Sequence, residues 1–262
     1  MTFNINPIIF ELGPFQIRYY GLMYVVGFFI ALLLLRRFSK QGFLKLSYNE
    51  INDLLFWAFV GLLVGARLFY SFVYAFPVYV KEPWRILIFW RGGLSFHGGL
   101  IGVAIAIWLF NRRKKLPWLQ ISDSLVLIAP IALFFGRIGN FLNGELFGRV
   151  TTLPWGIIFP YGGPQPRHPS QLYEAIGEGL ILAAIVWITK RFTSNQGVLS
   201  ATFLVGYGII RFLIEFFRLP DQQLGFVLGP FSMGQVLCSL MIIAGGILMY
   251  FAIRGRFGEV AG

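Results

Sequence analysis

Charged residues make up only 13% of the 262 residues, and the chain holds one cysteine and two histidines. Ordinary soluble domains carry about a quarter charged residues. A chain this poor in charge and 57% hydrophobic belongs in a membrane. The single Cys238 excludes an internal disulfide and reads as a small packing residue. Two histidines and scattered carboxylates show no metal-ligand spacing, so neither a metal nor another cofactor is expected. No nucleophile on an enzyme is evident, and the two halves show no internal repeat. Acidic residues are also few, 11 against 22 basic, which gives a net charge of +11. Nucleic acid is nevertheless not the expected partner, because most of the basic residues lie in short clusters between apolar runs.

What is plentiful is apolar runs of bilayer-crossing length, roughly 20 residues each. Seven are predicted as transmembrane helices: Tyr20–Leu35, Leu54–Phe76, Leu94–Phe110, Ile121–Ile138, Leu172–Thr189, Val198–Phe217 and Met233–Ile253. The expectation is an all-α integral membrane protein, one polytopic domain over 1–262 with an outer head region at about 139–169. The first span is expected to be retained. No basic residue precedes Arg18, and Arg36 and Arg37 follow the span where a small-residue cleavage site would lie. Alternate loops carry Arg36, Arg37, Lys40 and Lys45, then Arg112, Arg113, Lys114 and Lys115, then Lys190 and Arg191, then Arg254 and Arg256. The opposite loops carry fewer, spread over longer segments. The positive-inside bias therefore predicts an outward N-terminus and an inward C-terminus. The clusters themselves suit contact with anionic membrane lipids.

Three arginines remain, Arg67, Arg137 and Arg211, within or at the ends of spans. Arginine at a bilayer centre costs about 2.5–3.5 kcal/mol on insertion scales, so it usually faces a polar interior and has a function there. For Arg67, snorkelling or structural pairing is an equal alternative. In "GRIGNFLNGELFGR", Arg137 and Asn140 share a helix face, followed by Asn143, Glu145, Gly148 and Arg149. In "YGIIRFLIEFFRLPD", Tyr207, Arg211, Glu215 and Arg218 form one polar stripe. Glu215 can neutralise one arginine, which leaves a surplus positive charge suited to a phosphate. The competing reading is a buried salt bridge, with Glu145 or another carboxylate reaching the second arginine. "RHPSQLYE" places His168 near a helix cap, Pro169 in the first turn, and Gln171 and Glu174 on adjacent turns. "RYYGLMY" places Tyr20 and Tyr24 one turn apart, where an interfacial aromatic belt is the plain alternative. In "RGGLSFHGGLIG", His97 stands among Gly92, Gly93, Gly98 and Gly99, which leave room for a headgroup. Gly98 and Gly102 also form a small-xxx-small pair for helix packing. The predicted topology puts all these clusters towards the outer leaflet, as a phosphate-binding cavity there requires.

Together, "SFHGGLIG", "GRIGNFLNGELFGR", "RHPSQLYE", "GYGIIRFLIEFFRLPD" and "RYYGLMY" resemble the bacterial prolipoprotein diacylglyceryl transferase family. The likeness spans almost the whole chain in order, and the loop between Arg149 and Arg167 is short for the family. The resemblance implies transfer of the diacylglyceryl group from phosphatidylglycerol to the lipobox cysteine of a preprolipoprotein in the bacterial inner membrane. It implies that His97, Arg137, Asn140, Gly148 and Arg211 matter most, with Tyr20, Glu145, His168, Glu215 and Arg218 in support. An anion or lipid transporter is the alternative of a different class. The lack of internal repeats and the confinement of polar clusters to one half of the membrane weigh against it.

Overall fold

The computed structural model describes residues 1–12, 15–88, 93, 95–116, 118–219, 226–229 and 231–258, without the side chains of residues 12, 15, 74, 96, 97 and 226–228. Arg91, Gly92, Leu94 and Asp221 lie outside the described residues, as do the His97 side chain and the C-terminal Gly262.

All seven apolar segments are helical over most of their described length. They fall on α1 (Tyr19–Lys40), α2 (Tyr48–Phe69), α4 (Phe96–Lys114), α5 (Trp118–Val126) with α6 (Ala129–Leu142), α7 (Ser170–Glu174) with α8 (Leu182–Lys190), α9 (Val198–Ile214) and α10 (Met233–Ile253). A short α3 (Phe76–Lys81) and a 3-10 turn (Pro83–Leu87) follow α2. Among the described residues, four continuous helices are long and apolar enough to cross a membrane. A fifth crossing forms if α5 and α6, bent by 43°, count as one span. Two small hairpins interrupt the helical pattern, β1 (Ile8–Leu12) with β2 (Phe15–Arg18) and β3 (Phe226–Leu228) with β4 (Phe231–Ser232), both antiparallel. The bend follows from Pro130 at the start of α6, which cannot continue the hydrogen bonding of α5. The carbonyl of Leu127 at the break accepts instead from Trp187 Nε1 at 3.0 Å.

The helices are inside-out relative to a water-soluble protein. On α10, Leu237, Leu240, Ile243, Ile247 and Tyr250 are exposed, while Gln235, Cys238, Gly245 and Ala252 are buried. Large apolar groups turned outward with small and polar ones turned inward is the pattern that lipid imposes.

The chain resolves into two compact units. One comprises Leu35–Ile121, and the other comprises Met1–Leu34 with Ser122–Gly262. In the first unit, α2 and α4 pack backbone to backbone. A Cβ on Gly61 would stand 2.5 Å from the Gly102 carbonyl oxygen, and one on Gly65 would stand 2.8 Å from the Gly102 Cα and against the Gly98 carbonyl. Gly98 and Gly102 therefore serve the helix packing expected of them. The space expected beside Gly98 and Gly99 for a headgroup is instead filled by α2, at Gly65 and Leu62. Arg67 does not snorkel. It is buried, and it donates to the carbonyls of Ile86 (2.9 Å), Ile88 (2.8 Å), Gly93 (2.9 Å) and Arg85, which gathers the segment after α2 around one guanidinium.

In the second unit, α9 begins at Gly197, which has no side chain to cap it. Asp123 supplies the cap from α5. Its carboxylate accepts from the Gly197 N–H at 2.7 Å, the Ser200 N–H at 2.9 Å and the Ser200 hydroxyl at 2.6 Å. An anion at this end also meets the positive end of the helix dipole. Close glycine contacts, Gly208 on the Cys238 carbonyl and Gly245 on the Val205 backbone, draw α9 against α10.

Gly102→Ala should force α2 and α4 apart and lower stability by about 1–3 kcal/mol. Gly21→Ala, where a Cβ meets nothing within 4 Å, should not. Thermal unfolding of the two variants in the same detergent distinguishes them, and equal midpoints would refute the backbone contact.

Candidate functional site

The polar interior of the second unit is built on α6, α7, the wide π turn that continues it (Ala175–Ile181) and the C-terminal end of α9. Each contributes charge at helical spacing. Glu174 and Glu178 stand one turn apart, as do Arg211 and Glu215. Arg137 Nε lies 2.9 Å from Glu174 Oε2, and its Nη2 lies 3.2 Å from Glu178 Oε2. Arg211 Nη1 lies 2.6 Å from Glu174 Oε1 and 3.2 Å from Glu178 Oε1, while its Nη2 meets Glu215 Oε2 at 2.9 Å. Arg218 Nη1 donates to Glu174 Oε1 at 2.9 Å. Glu215 is held from its far side by the Ser232 hydroxyl at 2.9 Å, and Ser232 itself caps α10. The carboxylate thus sits at a helix N-terminus that favours its charge.

Three arginines meet three glutamates, so the surplus positive charge expected on the α9 stripe is absent. The carboxylate that reaches the second arginine is Glu174, not Glu145. The signs are layered, however. Glu174 and Glu178 are fully enclosed, whereas the Arg137, Arg211 and Arg218 side chains keep 18%, 12% and 13% of their surface accessible. The three arginine side chains thus keep accessible surface that Glu174 and Glu178 lack. Arg137 turns its Nε–Nη2 edge to the carboxylates, and Nη1 makes no hydrogen bond among the described residues. A guanidinium fixed by carboxylates on one edge, with a donor remaining on the other, is suited to a phosphate.

Around the cluster the expected residues take supporting positions. Asn140, buried on the same face of α6 as Arg137, donates to Glu145 Oε1 at 2.9 Å. Glu145 is fixed in turn by Gln171, which donates to its carbonyl. The Tyr20 ring lies against Gly139, and its hydroxyl pairs with that of Tyr24 at 2.8 Å. Gly148 donates to the His168 carbonyl at 2.8 Å. A Cβ there would stand 2.8 Å from His168 Cβ and against the Phe217 carbonyl, so only glycine lets the chain at 148 pass so close to the segment after α9. His168 contacts Tyr173 (Nδ1 to hydroxyl, 3.2 Å) and packs edge-on to Phe217. Burial pushes its pKa below the ordinary histidine value. Pro169 is the cap residue before α7 rather than part of its first turn, and His168 stands next to the cap as expected. His97 is the second residue of α4, and the structure does not describe its side chain. No group of three or more His, Cys, Asp or Glu able to hold a metal occurs among the described residues.

Glu178 is the site residue that sequence reasoning missed, and Glu174 was noted only for its place on a helix. The signal was available. A carboxylate inside the apolar run "AIGEGLILAA" is as unusual as an arginine there and demands a partner.

These features define a helical membrane protein whose interior holds a layered arginine–glutamate cluster suited to an anionic group. Sequence comparison gives the class a name. Residues 7–251 match the prolipoprotein diacylglyceryl transferase family, and the chain belongs to it. It is 48% identical over 256 residues to the phosphatidylglycerol–prolipoprotein diacylglyceryl transferase of Pseudoalteromonas atlantica, which covers 96% of this chain and 90% of that relative. It is 45% identical to the proteins of the same name from Coxiella burnetii, over 97% of both chains, and from Geobacter sulfurreducens, over 97% of this chain and 98% of that one.

Glu174 binds all three arginines. Glu174→Ala should therefore strand buried charge and destabilise the protein by about 3–5 kcal/mol. Glu11→Ala, on the exposed β1–β2 hairpin, should leave the unfolding midpoint unchanged. Similar midpoints for the two variants would remove Glu174 from the centre of the cluster.

Proposed function

We propose that the protein transfers the diacylglyceryl group of phosphatidylglycerol to the lipobox cysteine thiol of a preprolipoprotein. The observation that carries this reading is the layered cluster of Arg137 and Arg211 in a chain of this family. In the reaction, the thiol loses its proton and the sulfur bonds to the glyceryl C3. The C3–oxygen bond to the phosphate breaks, and glycerol-1-phosphate leaves. The phosphate thereby passes from a monoanionic diester to a dianionic monoester. Charge that grows during the step is what preorganised cations stabilise best in a water-poor site. Arg137 and Arg211 are assigned this role, with Arg218 and Glu215 holding Arg211's end of the cluster. Asn140 and Glu145 line the lipid site beside Tyr20, and Gly148 and His168 join the head region to it.

A thiol of pKa near 8.5 is only a few per cent thiolate at neutral pH. His97 is assigned the proton, since an imidazole of ordinary pKa about 6.5 can take it. The chain is one polytopic domain of the inner membrane with seven spans, an outward N-terminus, an inward C-terminus and the site towards the outer leaflet. Its partners are phosphatidylglycerol, the signal peptide with its lipobox, and bulk membrane lipid. The transporter alternative gains no support from any feature of the cluster.

Purified protein incubated with phosphatidylglycerol and a lipobox peptide should add a diacylglyceryl mass to the peptide and release glycerol-1-phosphate. Arg137→Lys and Arg211→Lys should retain little transfer, because lysine lacks the guanidinium fork. His97→Asn should lose about 10²–10⁴-fold at pH 7, with the deficit shrinking towards pH 9 as thiolate forms unaided. No mass gain with the unaltered protein sinks the activity. A constant deficit from pH 7 to pH 9 sinks only the role of His97.

Topology has its own check. A reporter that works only outside the cytoplasm should be active when inserted near Gly162 and silent when fused after Gly262. The reverse pattern would move the site to the other leaflet.

A further inference from the structure

We infer that Glu178 is a positioning residue, a carboxylate that holds Arg137 and Arg211 at a fixed separation for the lipid phosphate. The inference rests on the proposed transferase reading. Glu178 gives one oxygen to each arginine, Oε2 to Arg137 at 3.2–3.3 Å and Oε1 to Arg211 at 3.2 Å. A carboxylate has a fixed distance between its oxygens, so bridging two guanidinium groups sets their spacing. Glu174 also touches both, but it carries Arg218 as well and anchors the whole cluster.

The surrounding backbone is arranged around this one side chain. Glu178 lies in the π turn Ala175–Ile181, a wide turn of the kind found mostly as single bulges at functional sites. It is flanked by Gly177 and Gly179. A Cβ on Gly177 would stand 2.7 Å from Ile210 Cγ2, next to Arg211. One on Gly179 would stand 3.0 Å from the Phe134 Cα, one turn before Arg137. The two glycines thus let α9 and α6 close on Glu178 from either side, and each brings its arginine. Glu178 is fully buried behind both and has no accessible surface with which to touch the substrate. It acts through the arginines.

A residue that sets the geometry of a charge-stabilising pair should act on the chemical step more than on lipid capture. A displacement of about 1 Å at such a pair costs on the order of 10²-fold in rate. The test is steady-state transfer with phosphatidylglycerol and the lipobox peptide, with kcat and KM measured for the unaltered protein, Glu178→Gln and Glu178→Asp. The aspartate keeps the charge and withdraws the carboxylate by one methylene, so it guards against a glutamine variant that fails to fold. The expected result is a folded Glu178→Asp with kcat down roughly 10²-fold and KM for the lipid within about threefold. Glu178→Gln should show the same split where it folds. An aspartate variant with unaltered kcat overturns the positioning role, even if its thermal midpoint falls. So does one whose loss lies wholly in KM. An unaltered protein that transfers nothing fails the underlying reading instead, and the two failures are therefore distinct.

Discussion

Six charges share the interior of a largely apolar helical unit, and their mutual neutralisation is the constraint on which the rest of that unit depends. Taking ions out of water costs several kcal/mol each after relaxation, and only close, well-oriented partners repay it. Arg137, Arg211 and Arg218 have such partners in Glu174, Glu178 and Glu215, at 2.6–3.2 Å. The geometry needs α6, the π turn and α9 at close approach, which the small residues at their crossings permit. The apolar frame and the ionic centre are thus mutually dependent. The frame excludes the water that would screen the charges, and the charges fix which helices may adjoin.

The layering of that centre reconciles stability with binding. A pocket of bare arginines would repel itself and would collapse or recruit anions indiscriminately. A fully paired cluster would have nothing left to offer. Placing Glu174 and Glu178 innermost keeps the six-charge cluster neutral while the arginine side chains retain accessible surface. An anionic group of the kind proposed above would then meet arginines that are already held in place.

Helical segments and arginines were legible in the sequence because both stand out against a simple background. Apolar runs of bilayer length announce helices, and Arg137 and Arg211 are costly enough inside them to require a function. The pairing was not legible. The α9 stripe considered alone shows two arginines to one glutamate, and the balance comes from Glu174 and Glu178, some 33–44 positions away along the chain. Periodicity reports one helix at a time and cannot say which faces meet. Gly98 and Gly99 misled for a related reason: a residue without a side chain admits a ligand and a neighbouring helix equally well, and here α2 occupies the space. Arg67 was ambiguous because its partners are backbone carbonyls, which leave no trace in residue identity.

The capping of α9 by Asp123 bears on the order of assembly. Synthesis runs from N-terminus to C-terminus, so α5 exists before α9, and Asp123 must wait for N–H donors that lie 74 and 77 residues ahead. Until Gly197 and Ser200 emerge, the carboxylate can only be hydrated or protonated. It therefore cannot settle into an apolar surrounding as an ion on its own account. The late helix completes the early one, and the nascent chain stays unfinished around Asp123 until most of its length has been made. A ribosome stalled between the two would leave Asp123 without the helix end that it caps in the complete chain.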